Sequence, residues 1–313
     1  VTRRQRSLML QAKREREQQK GSPCRCRSGR IAGICCLSGD RWHKSPASLR
    51  LRLPGSAPPL DRCYMRTLGN CEAPISREHI ITESVIEILS SGGEFTVGGL
   101  PWLRSGETKA LAPGNLTAKC LCKGHNSAIH PLDDCAKLFF SALKHSLEKA
   151  NAEHPLLVSG HDLERWLLKT LKAMAASGNL ASGRVKLPDL FQGDVDVVRM
   201  IENPLSWATA TGLYFVMPSG SRFINNTRIQ IQPWYGESRQ ELVGLWTNFL
   251  GLEFVLMIAA PNVARSPALG HWLHRPGRIK VRTGGSVHLI ELSWADLRKH
   301  PSINASFDRS VVR

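Results

Sequence analysis

Two sets of soft metal-binding side chains constrain this chain more than any other feature of its sequence. Cys24-x-Cys26 is followed, after eight intervening residues, by Cys35-Cys36. A second set comprises Cys63, Cys71, Cys122 and His125, with Cys120 as a competitor for the place of Cys122. Zinc takes four thiolate or imidazole donors in a tetrahedron. The N-terminal residues lack the apolar core of a secretory signal, so a cytoplasmic location is the expectation, and there clustered cysteines point to metal sites rather than disulfides. Each complete set of four donors is expected to hold one zinc ion and to fix a small unit of fold around it.

The charge is unevenly spread. The formal net charge is +16, and residues 1–62 alone carry fifteen Lys and Arg against four Asp and Glu. A basic N-terminal arm attracts polyanions through counterion release, without sequence preference. No run of about 18 apolar residues occurs, so no membrane partner is expected. No glycine-rich nucleotide loop is present, which argues against ATP use.

Composition shifts divide the chain into a basic arm (1–21), a Cys-rich module (22–44), a linker with four prolines (45–60), a segment holding the second donor set (61–150) and a C-terminal α+β domain (151–313). Helical spacing of Phe139, Phe140, Leu143 and Leu147 predicts a helix over 136–150. Leu163, Trp166, Leu167, Leu171 and Met174 share the face of a second helix over 162–176, with Gly178 as its stop. That pattern leaves Glu164, Arg165 and Lys169 near an exposed face, where Arg165 and Lys169 could touch a phosphate backbone. Strands are expected at 212–217, 228–232 and 252–258. Trp207, Tyr214, Trp234 and Trp246 are expected as core anchors, Cys120 as a strand residue, and Cys135 as helix core. Asp133 suits a helix start, and His130 is expected to be solvated.

Phosphodiester hydrolysis needs a base for the attacking water and a cation at the scissile phosphate. Glu78-His79 places an acid beside an imidazole, and Asn126 directly follows the His125 donor. A hairpin and a helix would bring these together beside the second donor set. This order of residues resembles the HNH endonuclease family in its zinc-stapled ββα-metal form. The resemblance rests on the cysteine pair, Glu78-His79-Ile80-Ile81 and Leu121-Cys122-Lys-Gly-His125-Asn126, with Thr82 where the family commonly has Pro. It implies His79 as general base, Glu78 and Asn126 as ligands of a catalytic Mg²⁺ or Mn²⁺, and Asn115 as the middle Asn that holds the loop. It also implies Cys63, Cys71, Cys122 and His125 as structural zinc ligands, and DNA as substrate.

Pro23-Cys-Arg-Cys-Arg-Ser-Gly29, continued to Cys35-Cys36, resembles the SEC-C zinc motif, which implies a zinc-stapled knob that binds a protein partner. The expected architecture is therefore α+β: an N-terminal zinc knob, a small ββα-metal core and a mixed α+β C-terminal domain. The alternative is a catalytically inactive zinc-binding protein that docks nucleic acid or a partner protein.

Overall fold

The computed structural model describes the chain apart from residues 1, 53–54, 56, 91–93, 150–153, 183–184, 192–194, 218–221, 226–227, 238–239, 260–271, 297 and 313. Its fold is mixed α+β, as expected. Helix α1 (Arg3–Gly21) opens on a capping box between Thr2 and Gln5 and buries none of its residues. A ribbon of β1 (Leu37–Ser38) and β2 (Arg41–Trp42) follows in the Cys-rich module.

The next segment runs β3 (Ile75–His79), α2 (Glu83–Ser90), β4 (Phe95–Gly98), β5 (Thr108–Leu111), β6 (Thr117–Cys122), α3 (Lys123–Ala128) and α4 (His130–Glu148). Strands β3 and β6 pair antiparallel, with Ile75 opposite Cys122 and His79 opposite Thr117. Between them, α2, β4 and β5 replace the short turn of a miniature hairpin.

The remainder comprises β7 (Leu156–Ser159), α5 (Gly160–Ala176), a ribbon of β8 (Ala181–Ser182) and β9 (Val185–Lys186), and α6 (Val197–Glu202). Strands β10 (Gly212–Val216), β11 (Arg222–Asn225), β12 (Ile229–Tyr235), β13 (Leu242–Phe249) and β14 (Leu252–Met257) come next. Last are β15 (Trp272–His274), β16 (Arg278–Thr283), β17 (Ser286–Ser293) and β18 (Ser302–Val312).

Two large sheets form. One has the order β15-β10-β14-β13-β12-β4-β5 and the other β11-β18-β16-β17-β7. The first crosses the expected boundary at residue 150, because β12 pairs parallel with β4. One hydrophobic core accordingly runs from Leu51 to Phe307, so residues 61–150 and 151–313 share a core instead of forming two.

Helix α5 packs against strands of both large sheets and against α4. Its apolar face behaves as its spacing predicts: Trp166 and Leu171 are fully buried, and Phe140, Phe249 and Trp166 meet ring to ring. Its polar face does not. Glu164, Arg165 and Lys169, expected near solvent, are at most 1% exposed. A helix between two sheets has no solvent face, and a buried charge is tolerated only when paired. Each one here is. Arg275 pairs with Glu164 at 2.8 Å, and the Leu213 amide donates to the same carboxylate at 2.7 Å. Arg165 pairs with Asp162 and donates to the Ala47 carbonyl at 2.7 Å. Lys169 Nζ lies 2.6 Å from Glu78 on β3 and 2.5 Å from Asp133 on α4. Neither Arg165 nor Lys169 can therefore touch a phosphate backbone.

A glycine makes one of these pairs feasible. A Cβ at Gly212 would stand 2.3 Å from Glu164 Oε1, and its φ of +119° also disfavours any other residue. The expected linker is likewise tied down on its N-terminal side. The Ala47 amide donates to Asp162, and Leu51 is fully buried.

Of the four aromatics expected in the core, Tyr214 is buried, Trp207 and Trp246 are half-buried with bonded indole nitrogens, and Trp234 is 37% exposed. Among the described residues no helix is long and apolar enough to cross a membrane.

Removing one partner of a buried ionic group leaves the others uncompensated, at a cost of about 3–5 kcal/mol. Lys169→Met should lower the unfolding free energy by about that much in urea titrations, and adding Glu78→Gln should recover part of the loss. An unchanged midpoint in Lys169→Met would show that the ammonium does not hold the two carboxylates.

Candidate metal centres and the Glu78-His79 strand

Strand β6 ends at Cys122, which is also the N-cap of α3: its Sγ accepts the His125 amide at 3.4 Å. An N-cap side chain and the third helical residue are neighbours by helix geometry, so the Cys-x-x-His spacing delivers both side chains to one point. The other two donors come from the loop before β3. The Tyr64 amide donates to the Cys120 carbonyl at 3.0 Å, pinning the Cys63 turn to β6. Cys71 follows Gly69 and Asn70, both at positive φ, and the Lys123 amide donates to Glu72 and Pro74 carbonyls, holding that loop against α3.

The four donor atoms lie within 4.8 Å of one another, and all four residues are buried. His125 Nδ1 is 3.2 Å from Cys122 Sγ, 3.4 Å from Cys63 Sγ and 3.9 Å from Cys71 Sγ. Tetrahedral zinc with ordinary bond lengths would set sulfur and nitrogen about 3.5 Å apart. On its other side, His125 Nε2 lies 3.1 Å from the Leu51 carbonyl. A carbonyl can only accept, so Nε2 carries the proton and Nδ1 presents its lone pair to the thiols, the orientation a metal-bound imidazole needs. Burial pushes the Cys63 thiol up to about 12. A thiolate in that place calls for a cation beside it.

The first set also assembles. Cys24, Cys26, Cys35 and Cys36 offer sulfurs within 4.8 Å of one another. Cys26 and Cys35 are 3.5 Å apart, Cys35 and Cys36 3.6 Å, and Ser28 Oγ is 3.2 Å from Cys35. Burial would raise the Cys26 thiol, but hydrogen bonds from Ser28 and its neighbouring cysteines bring it down to about 6. Both clusters can hold a metal ion such as zinc.

The first module is not a free knob. The Leu157 amide donates to the Arg25 carbonyl at 3.1 Å, Arg25 pairs with Glu291 at 2.7 Å, and Leu157 packs among the cysteines. One of its faces is therefore occupied by β7 and β17 of the same chain.

The residues of the expected catalytic centre are partly brought together. Asn126 Nδ2 donates to Ser76 Oγ at 3.1 Å, which joins α3 to the strand carrying Glu78 and His79 and leaves the amide oxygen outside that bond. Successive residues of a strand point to opposite faces. Glu78 accordingly turns inward and is 3% exposed, whereas His79 is half-buried, with Nε2 at 3.7 Å from Glu83. Burial lowers the His79 pKa despite Glu83, which favours a neutral imidazole.

Burial raises the Glu78 pKa against the pull of Lys169, and Asp133 raises it further. Burial pulls Lys169 down, but the two carboxylates outweigh it and hold its pKa above the usual range. Among the described residues only the two cysteine clusters bring three or more His, Cys, Asp or Glu donors together, and Glu78 and His79 belong to neither. The donors for a catalytic cation thus fit incompletely: Asn126 offers an oxygen, and Glu78 is engaged by Lys169. Asn115 is exposed in the turn before β6, with its backbone amide bonded to Ala112.

Sequence reasoning missed the environment of Thr82 and Asp133. Thr82 Oγ1 donates to Asp133 and accepts from the Trp166 indole at 2.8 Å. Asp133 sits in the first turn of α4 as expected, but its carboxylate is held by Lys169 and Thr82. Cys120 lies in β6, Cys135 is half-buried in α4, and His130 is solvated, paired with Asp134 at 3.4 Å.

No family model matches the chain, and no curated protein or solved structure matches it.

If a metal at the second cluster staples β3 to β6, chelation should raise amide exchange across 75–79 and 117–122 while 279–281 in the five-stranded sheet stay protected. His125→Cys should restore protection on adding zinc, and His125→Ala should not. Protection that ignores the chelator would mean that the strands hold without metal.

Proposed function

We propose that this chain is a zinc-stapled ββα nuclease of the HNH kind that hydrolyses phosphodiester bonds of DNA. The observation that carries the proposal is the hydrogen bond from Asn126 to Ser76. It ties α3, which Cys122 caps and which carries His125, to the strand that ends in Glu78-His79, in the order β3, β6, α3. His79 would act as general base, a role supported by its half-buried position and by burial favouring its neutral form. Its imidazole would take the proton of the attacking water. A divalent cation, held on the protein side by the Asn126 amide oxygen, would supply charge stabilisation at the phosphate. The +16 charge and the unburied basic helix α1 suit a polyanionic substrate.

A second reading has its own observation. Glu78 is buried and its carboxylate is claimed by Lys169, which suits a structural role. On that reading the chain binds nucleic acid without cutting it.

Plasmid nicking in Mg²⁺ or Mn²⁺ separates the two. The nuclease reading predicts nicking by the wild type and a fall of at least about 100-fold in His79→Ala, the usual share of a general base. Equal nicking by both, or none by either with DNA still bound, would leave the binding reading in its place.

A further inference from the structure

A cleft of about 370 Å³ opens beside the Cys63 turn, between that turn, β6 and α5. Its lining includes Arg62 and Arg66 from that turn, Lys119 from β6 and Lys172 from α5. Two acids, Asp61 and Asp189, line it as well. Arg66 is committed locally, donating to the Asp61 carbonyl at 2.6 Å. Arg62 and Lys119 are exposed, and Lys172 is half-buried with its ammonium 4.8 Å from the centre of the Phe191 ring.

Cations gathered at one mouth repel one another, and a concave wall concentrates their field on whatever anion enters. A dication bound by three thiolates and an imidazole at the neighbouring cluster would carry a net −1 and offset one of them. The mouth keeps an excess of positive charge even so. The turn that carries Arg62 is joined to the strand that carries Lys119, since the Tyr64 amide donates to the Cys120 carbonyl of β6 at 3.0 Å.

We infer that this cleft binds the phosphodiester backbone of duplex DNA, with Arg62, Lys119 and Lys172 facing successive phosphates. The assignment rests on the nucleic-acid part of the proposed function and is independent of catalysis. It differs from the diffuse attraction of α1, because it fixes a track beside the zinc-stapled strands. The cleft supplies position and no base readout, as contacts to phosphate do in general.

The test is equilibrium binding of a duplex oligonucleotide across a range of KCl concentrations, without added Mg²⁺ or Mn²⁺. Each lost phosphate contact flattens the plot of log affinity against log salt by about 0.9. Arg62→Ala/Lys119→Ala should therefore be shallower than wild type by about 1.8. Both side chains are exposed, so the double variant should keep the wild-type denaturation midpoint. Arg282→Ala/Lys299→Ala removes the same charge from exposed positions elsewhere and should leave the slope nearly unchanged.

An unchanged slope in the first variant, or an equal change in both, overturns the inference. Inorganic phosphate tests the other source of the same chemistry. Competition beyond that of chloride at matched ionic strength, abolished in Arg62→Ala/Lys119→Ala, would assign the cleft to free phosphate and overturn the backbone assignment. A flattened slope in a protein that never nicks plasmid would keep this inference and remove the nuclease reading. Nicking with an unchanged slope would do the reverse.

Discussion

One ammonium group joins the parts of this protein. Lys169 reaches from the buried helix α5 to Glu78 on β3 and to Asp133 on α4. It thereby fastens the β3-β6 pair to the two-sheet body. Buried ions rarely add net stability over well-packed apolar groups, but losing one partner of a set is costly. The cluster therefore acts as a constraint on arrangement: α5, α4 and β3 can meet in few other ways without stranding a charge. The same contact decides what Glu78 can do, because a carboxylate held by a lysine is not at the same time a ready ligand for a second cation.

The metal clusters work at shorter range. The Cys63 turn and the Cys71 loop enter the core through Met65, with Leu60, Tyr64 and Leu68 packed beside it. Together with Cys122 and His125 at the start of α3, their donors converge, assisted by the N-cap geometry of Cys122 and by the Leu51 carbonyl that orients His125. The first cluster repeats the principle in the Cys-rich module and is anchored through Arg25 and Leu157 to the five-stranded sheet.

How much of this was legible in the sequence differed by the kind of signal. Both donor sets were, because ligand chemistry and spacing speak without knowledge of the fold. So were α4, α5 and the strands near 212–217, 228–232 and 252–258, which follow local periodicity. The polar face of α5 was misleading. Glu164, Arg165 and Lys169 have the pattern of a solvated stripe, and only the presence of a second sheet turns them inward. The parallel pairing of β4 with β12, which erases the expected boundary at 150, joins residues with no local signal of their affinity. At the candidate catalytic strand, Glu78 and His79 were found by motif, but alternation along β3 and the distant Lys169 separate their surroundings.

The central claim is that each of the two donor sets holds one metal ion. Native mass spectrometry of the purified full chain, paired with elemental analysis, tests it most directly. The expected result is a mass excess of two zinc ions per chain, falling to one when Cys122 and His125 are both replaced by Ala. A chain that is folded and free of metal, or one that keeps both ions in that double variant, would contradict it.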